Sequence, residues 1–177
     1  MLTRDLREVR ALWRYVGPIR DIITGAKFRN DLWRIRRMAP ELSAGLAGLV
    51  GGNEGVALVP IPSHPMHLRR RGFDLPMLLA RWVAKITGQP VVVGLKNCAT
   101  SEHQSQIGVG RRARWSGRMD TLRAVGGNGR SAILIDDVLT TGATVCAAAE
   151  QLSRSGWSVV GACVLARTPH NDPEDLG

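Results

Sequence analysis

The sequence predicts an α/β fold with a mainly parallel central sheet flanked by helices, because two kinds of segment alternate along the chain. Short apolar runs, typical of strands buried on both faces, recur through most of its length. They lie at residues 56–61, 91–95, 132–135 and 159–166. Amphipathic segments with helical spacing lie between them, at residues 74–86 and 142–155. This order of strand, helix and strand is what parallel pairing requires.

Three parts are predicted along the chain. Residues 1–52 form an N-terminal extension or hood, residues 53–168 form the core, and residues 169–177 form a short tail. The glycine-rich residues 51–55 mark the first boundary.

The predicted extension contains a short strand followed by helices. The strand is expected over residues 9–16, and Gly17-Pro18 then opens a helix that continues to about Lys27, since proline is tolerated at a first helical position. Residues 32–49 keep helical spacing, and Pro40 must kink or divide that segment.

Composition narrows the class of protein. A chain of 177 residues with 44% apolar residues is enough for one buried core, and its net charge of +9 favours an anionic partner such as a phosphorylated metabolite, nucleic acid or an acidic membrane surface. No segment resembles a signal peptide or a membrane span. Cys98, Cys146 and Cys163 have no paired spacing, so reduced thiols in a soluble cytoplasmic protein are expected.

The strongest chemical signal follows the apolar run at residues 132–135. Asp136 and Asp137 come directly after it, and residues 140–144 then form a turn of small residues that leads into a helix. Ligands of open α/β sheets lie at this end of the strands. The carboxylates can accept hydrogen bonds from ribose hydroxyls, while Gly142 and the first helical N–H groups suit a phosphate. Taken singly, each part also fits an ordinary strand end or helix cap.

These residues also carry a family resemblance. Residues 132–144 resemble the motif that binds 5-phosphoribosyl-1-pyrophosphate (PRPP) in type I phosphoribosyltransferases. Residues 59–65, 69–73 and 161–167 resemble the ComF family, competence-associated proteins related to those enzymes, as do residues 15–20 together with Lys27. The resemblance implies a type I phosphoribosyltransferase fold.

The resemblance assigns the ribose and 5′-phosphate of PRPP to one continuous segment. Its members are Asp136, Asp137, Val138, Leu139, Thr140, Thr141, Gly142, Ala143 and Thr144. The two aspartates are the catalytic candidates, since they would orient the ribose, and one of them could touch the metal or act as a base. The implied cofactor is Mg²⁺, held mainly through PRPP itself and otherwise by Asp136 or Asp137.

The resemblance places the pyrophosphate at the loop after the first core strand. Ser63 and His64 lie in that loop, and Arg69 and Arg71 follow closely with the forked donors that suit phosphate. A solvated charge run is an equally open interpretation of these arginines.

A zinc site is not expected. His64 and His67 have a spacing that would suit a metal pair on a helix, but Pro62 and Pro65 predict against a regular helix there.

The chain departs from the ComF pattern at several places. It lacks the cysteine-pair zinc ribbon, and Asp74-Leu75 stands where the family usually has Asn-Gln. Residues 97–119 are predicted to form a flexible loop over the site, with Arg111 and Arg112 as its candidate contacts, although the asparagine that normally follows is missing.

The predicted activity is Mg²⁺-dependent transfer of the phosphoribosyl group from PRPP to an unidentified nitrogen acceptor, with release of pyrophosphate. The alternative is a non-catalytic ComF-like module in DNA uptake, with DNA or a helicase-like protein as its partner. A PRPP-sensing regulator is a third possibility. No membrane partner is expected, and an oligomer is compatible with the sequence.

Overall fold

The structure is a computed structural model that describes residues 6, 8–52, 55–99 and 121–169. Within these ranges, no helix combines the length and the apolar character needed to cross a membrane. The elements in chain order are β1 (Val9–Arg14), α1 (Gly17–Phe28), α2 (Leu32–Arg37), α3 (Ala39–Val50), β2 (Ala57–Pro60), α4 (Pro65–Arg71), α5 (Leu75–Thr87), β3 (Leu95–Asn97), β4 (Leu122–Ala124), β5 (Ser131–Leu139), α6 (Ala143–Arg154) and β6 (Ser158–Arg167).

The main sheet has four strands in the order β1-β6-β5-β2. Every pairing within it is parallel, which confirms the predicted α/β fold with a mainly parallel sheet. All four strands therefore end at the same edge of the sheet, and the loops that follow them lie together there.

The core has two layers, one on each face of this sheet, and β5 contributes to both. Ala132 and Leu134 belong to the layer beneath α6, whereas Ile133 and Ile135 belong to the layer that includes α3 and α5. Since side chains alternate between the faces of a strand, a strand covered on both faces must be apolar at every position. This accounts for the unbroken apolar run at residues 132–135.

The predicted N-terminal extension is packed into the same sheet. Its strand β1 pairs with β6, with Val9 opposite Ala162, and α3 packs against β1, β6 and α5. The predicted division of residues 32–49 is confirmed, because α2 and α3 are separated at Met38 and Pro40 lies in the first turn of α3. The boundary at residue 52 stays a prediction.

The predicted strand at residues 91–95 is wrong. Val91 alone forms a parallel bridge, to Leu58, and Val93 is 55% exposed. The chain turns at Gly94, whose N–H donates to the carbonyl of Val92. It then enters β3, which pairs antiparallel with β4 in a separate two-stranded sheet. A run of valines therefore marks the border of the main sheet without continuing it.

The three cysteines are free thiols in different surroundings. Cys98 is exposed, while Cys146 and Cys163 are buried in the core. Burial raises the pKa of the Cys163 thiol to about 11. Because the thiolate is the reactive form, neither burial nor ionisation favours a reaction at Cys163.

We predict that a thiol reagent at pH 8 modifies one cysteine of the folded protein, Cys98, and all three after denaturation. The measurement is intact mass after a timed reaction, and Cys98→Ser provides the control. Rapid modification of the folded Cys98→Ser variant would show that the described core is not closed around Cys146 and Cys163.

Candidate functional site

Two loops meet at the carboxyl edge of the sheet because β2 and β5 are neighbouring parallel strands. The loop after β2 contains Ser63 and His64, and the loop after β5 contains residues 140–142. The hydrogen bonds between β2 and β5 continue into the loop after β2, since Ile61 N–H donates to the carbonyl of Ile135 at 2.9 Å. The structure thus brings the predicted pyrophosphate loop beside the predicted ribose and phosphate segment.

Asp137 is buried and forms an ion pair with a residue from the N-terminal helix. Its side chain is 7% exposed, and its Oδ1 accepts a hydrogen bond from Lys27 Nζ at 2.6 Å. The lysine lies in the last turn of α1. This contact was not predicted, although Lys27 belongs to the resemblance at the start of the chain. A charge-assisted bond shielded from water fixes both the carboxylate and the end of α1.

Asp136 and Asp137, which were predicted to end the strand, lie within β5, because the strand continues to Leu139. The strand continues because β6 runs beside it, with Asp136 opposite Val164 and Leu139 opposite Arg167. Successive side chains of a strand point to opposite faces. The two carboxylates therefore do not form a single pair. Asp137 faces the α1 side, whereas Asp136 accepts a hydrogen bond from the Asp137 N–H at 2.8 Å.

The turn after β5 has the features expected of a phosphate site. Gly142 is the N-cap of α6 and has a φ of 77°, a left-handed conformation that favours glycine. The N-cap residue, Gly142, has no side chain that could cap the helix, and Thr140 and Thr141 are exposed. Thr141 Oγ1 accepts a long hydrogen bond of 3.4 Å from Ala143 N–H. The positive end of α6 and two hydroxyls therefore face the surface.

The side chains of the remaining residues in the predicted ribose and phosphate segment are less accessible to a ligand. Val138 and Leu139 pack against the core clusters, and Ala143 is buried. Thr144 is half-buried in the first turn of α6. Apart from the Thr144 hydroxyl, these residues can serve a ligand only through backbone groups.

Ser63 and Arg71 are brought together, as the predicted pyrophosphate site requires. Arg71 is 9% exposed, and its Nη2 donates to Ser63 Oγ at 3.0 Å. Its Nε donates to the carbonyl of His67 at 3.3 Å, and its guanidinium lies 5.7 Å from the ring centre of Phe73. The Arg71 guanidinium is thus held in place by its own helix, α4, and by Ser63 in the loop after β2.

Asp74 completes this group, and its role was not predicted. It occupies the N-cap position of α5, as expected, but its carboxylate makes no capping bond to that helix. Instead its two oxygens accept the Ser63 N–H at 3.2 Å and the Ser63 hydroxyl at 2.8 Å. Burial raises the pKa of Asp74, and Asp137 also raises it, while the bonds from Ser63 and the charge of Arg71 act in the opposite direction. The only sequence signal was the departure from the family's Asn-Gln.

The prediction against a helix near His64 and His67 is wrong. Helix α4 begins at Pro65, a first helical position where the missing N–H costs nothing, and His64 Nδ1 caps it by accepting from Met66 N–H at 3.2 Å. The two histidine rings lie 5.7 Å apart. Among the described residues, no group of three or more His, Cys, Asp or Glu side chains is arranged to hold a metal ion.

The two other arginines of α4 differ from Arg71 in their surroundings. Arg69 is exposed on α4, two residues from Arg71, and positions two apart do not share a helix face. Arg70 Nη2 makes a 3.4 Å contact with the carbonyl of Phe28 at the end of α1. Arg111 and Arg112 lie outside the described residues.

Positive charge surrounds His67, although this side chain remains exposed. Partial burial lowers its pKa, and the charges of Arg71, His64, Lys27 and Arg70 lower it further. These groups come from α1, α4 and the loop after β2. The resulting cluster suits an anionic ligand at this edge of the sheet.

Comparison with known families adds an independent finding. Residues 116–176 match the family model described as a phosphoribosyl transferase domain. This segment includes β5, the turn after it, α6 and β6. A search of curated proteins finds no match. The match supports a relationship to phosphoribosyltransferases, whereas the resemblance to the ComF family stays a prediction.

We predict that Lys27→Met destabilises the protein by about 2 kcal/mol, because it leaves the buried carboxylate of Asp137 without its partner. The matched control is Arg154→Met, which removes a surface pair with Glu150 and should cost less than about 0.5 kcal/mol. Urea denaturation measures both. Equal effects would mean that the Lys27–Asp137 pair behaves as a solvated surface pair.

Proposed function

We propose that this protein binds PRPP and transfers its phosphoribosyl group to a nitrogen acceptor, with release of pyrophosphate. The main support for the proposal is that two loops suited to binding anions lie together at one edge of the sheet. One is the uncapped N-terminus of α6 after β5, and the other holds Ser63 beside the buried Arg71. The family match over residues 116–176 supports the same function.

In this proposal each end of PRPP has its own loop. The 5′-phosphate accepts hydrogen bonds from the turn at residues 140–144, where the helix N-terminus supplies N–H groups. Asp136 and Asp137 are the candidate acceptors for the ribose hydroxyls, and because their side chains point to opposite faces of β5, one of them makes this contact. The pyrophosphate lies towards Ser63, His64 and Arg71. Arg69, which is exposed on another part of α4, has at most a peripheral role in this arrangement.

The proposed transfer depends on holding the ribose and the pyrophosphate of PRPP in fixed positions. As the bond from C1 to pyrophosphate breaks, C1 becomes oxocarbenium-like and negative charge grows on the leaving group. The Arg71 fork and the surrounding cations stabilise that charge, while the fixed ribose keeps C1 in line with the attacking nitrogen.

Mg²⁺ fits this site as an ion that arrives with PRPP. The described residues gather no set of three carboxylate, histidine or cysteine ligands, so the phosphates of PRPP would hold the ion, with Asp136 or Asp137 as the protein contact. When bound, the ion would neutralise part of the pyrophosphate charge.

The acceptor would approach from the side of the N-terminal helices. Helix α1 reaches the site through Lys27, so this helix of the predicted hood borders the ribose side of the proposed site. Acceptor choice would then depend on α1 and its neighbours.

The direct test is calorimetry with PRPP and Mg²⁺ on wild type, Asp136→Asn and Asp137→Asn. Loss of a charge-assisted hydrogen bond to ribose should cost ~1.5–3 kcal/mol, which weakens affinity about tenfold or more. Asp21→Asn makes the same change at an exposed residue of α1 and should have no effect. A pyrophosphate-release assay over nucleobases and amines then tests turnover. Unchanged affinity in both folded site variants would remove their ribose role.

One observation favours the second candidate, a nucleic-acid-associated module. Helix α2 exposes 58% of Trp33, with the Arg34 guanidinium 5.4 Å from its ring centre, and Arg36 and Arg37 follow in the same helix. Phe28, at the end of α1, is also exposed. An exposed aromatic ring among arginines suits stacking with a base of single-stranded nucleic acid.

Paired titrations separate the two candidates. We expect Arg71→Lys, which keeps the charge but loses the fork, to weaken PRPP binding about tenfold, and Trp33→Ala to leave it unchanged. The same variants are titrated with single-stranded DNA at two salt concentrations, because phosphate contacts make affinity fall steeply with salt. Salt-sensitive DNA binding that Trp33→Ala abolishes, in a wild-type protein that does not bind PRPP, would favour the nucleic-acid module.

A further inference from the structure

In the loop that is predicted to bind pyrophosphate, Ser63 already donates hydrogen bonds to an anionic group of the protein, the carboxylate of Asp74. Ser63 has two donors, its backbone N–H and its hydroxyl, and both reach Asp74, at 3.2 Å and 2.8 Å. The hydroxyl oxygen also accepts from Arg71 Nη2 at 3.0 Å. Asp74 therefore holds the same donors that a phosphate oxygen would use.

The position of Asp74 excludes the ordinary explanation for an aspartate at a helix start. It is the N-cap residue of α5, yet its side chain makes no bond to that helix. The carboxylate reaches across to a loop eleven residues earlier in the chain, as the separation of the bonded pair shows. Its hydrogen bonds therefore hold the loop that contains Ser63 and do not cap α5.

We propose that Asp74 is a positioning residue that competes with the pyrophosphate of PRPP for Ser63 and thereby sets the affinity of the site for that group. This inference rests on the proposed function. Two features favour competition over simple support of the loop. Ser63 has no further hydrogen-bond donor, so any phosphate that Ser63 binds must take a donor from Asp74. A carboxylate beside a bound pyrophosphate also repels it.

The surroundings of Asp74 determine how strong this competition is. Arg71 on α4 attracts its charge, whereas Asp137 on β5 repels it and is itself paired with Lys27 on α1. Burial leaves the anionic carboxylate of Asp74 less well solvated than in water, which raises its pKa. Replacing the carboxylate with a neutral amide removes its charge and leaves one oxygen acceptor for Ser63.

The test is the affinity of wild type and Asp74→Asn for PRPP, inorganic pyrophosphate and ribose 5-phosphate, measured by calorimetry at fixed Mg²⁺. The asparagine oxygen can accept from one of the two Ser63 donors, whereas its amide nitrogen cannot accept from the other, and the side chain carries no charge. We expect PRPP and pyrophosphate to bind about tenfold more tightly, a change of ~1.4 kcal/mol, and ribose 5-phosphate to bind as before. Asp21→Asn is the matched control and should leave all three affinities unchanged.

A purely structural role predicts a different pattern, in which all three ligands bind more weakly or change by the same factor. That result would overturn the inference. A wild-type protein that binds PRPP, with no gain in Asp74→Asn, also overturns it and leaves the proposed function intact. A wild-type protein that binds neither PRPP nor pyrophosphate contradicts the proposed function and this inference together.

A second measurement needs no variant. The amide resonance of Ser63 in the wild-type protein reports the partner of its N–H. Saturating pyrophosphate should move this resonance strongly, because the N–H exchanges its carboxylate acceptor for a phosphate, whereas ribose 5-phosphate should leave it in place. A Ser63 amide that does not move while pyrophosphate binds would contradict the competition.

Discussion

The parallel pairing of β5 with β2 and β6 is the constraint on which the rest of the structure depends. It requires residues 132–135 of β5 to be apolar on both faces, and it places the ends of the strands at one edge. Through this pairing the loop with Ser63 and the turn at residues 140–142 become neighbours, although the sequence separates them widely. The pairing of β6 with β1 also draws the N-terminal segment into the sheet, and α1 then delivers Lys27 to Asp137.

The charges at this edge are balanced by the protein's own groups. Lys27 neutralises Asp137, Ser63 donates to Asp74, and Arg71 donates to Ser63. A buried group without a partner is costly, so these bonds hold the loops in defined positions. Under the proposed function, an anionic ligand exchanges some of these bonds for its own. Its affinity would then depend on the difference between the two sets of bonds, to which Asp74 and Asp137 contribute as well as the cations.

The sequence was sufficient to predict features that depend on local pattern. The apolar run at residues 132–135, the turn at Gly142 and the division of the N-terminal helices are of this kind, and the structure has them. Features that depend on neighbours in space were missed. Asp136 lies inside β5 because β6 extends beside it, and Val93 is exposed because the sheet ends at Val91. The partners of the site residues could not be predicted from the sequence either. Lys27 on α1 reaches Asp137, and Asp74 before α5 reaches Ser63, only because the tertiary fold brings them together.

The central claim is that one ligand, PRPP, spans the two loops. The most direct measurement is a crystal structure of the protein grown with PRPP and Mg²⁺. We expect the 5′-phosphate at the N-terminus of α6, within hydrogen-bonding distance of residues 140–144, and the pyrophosphate beside Ser63 and Arg71. PRPP bound with either loop unoccupied, or bound elsewhere on the protein, would contradict it.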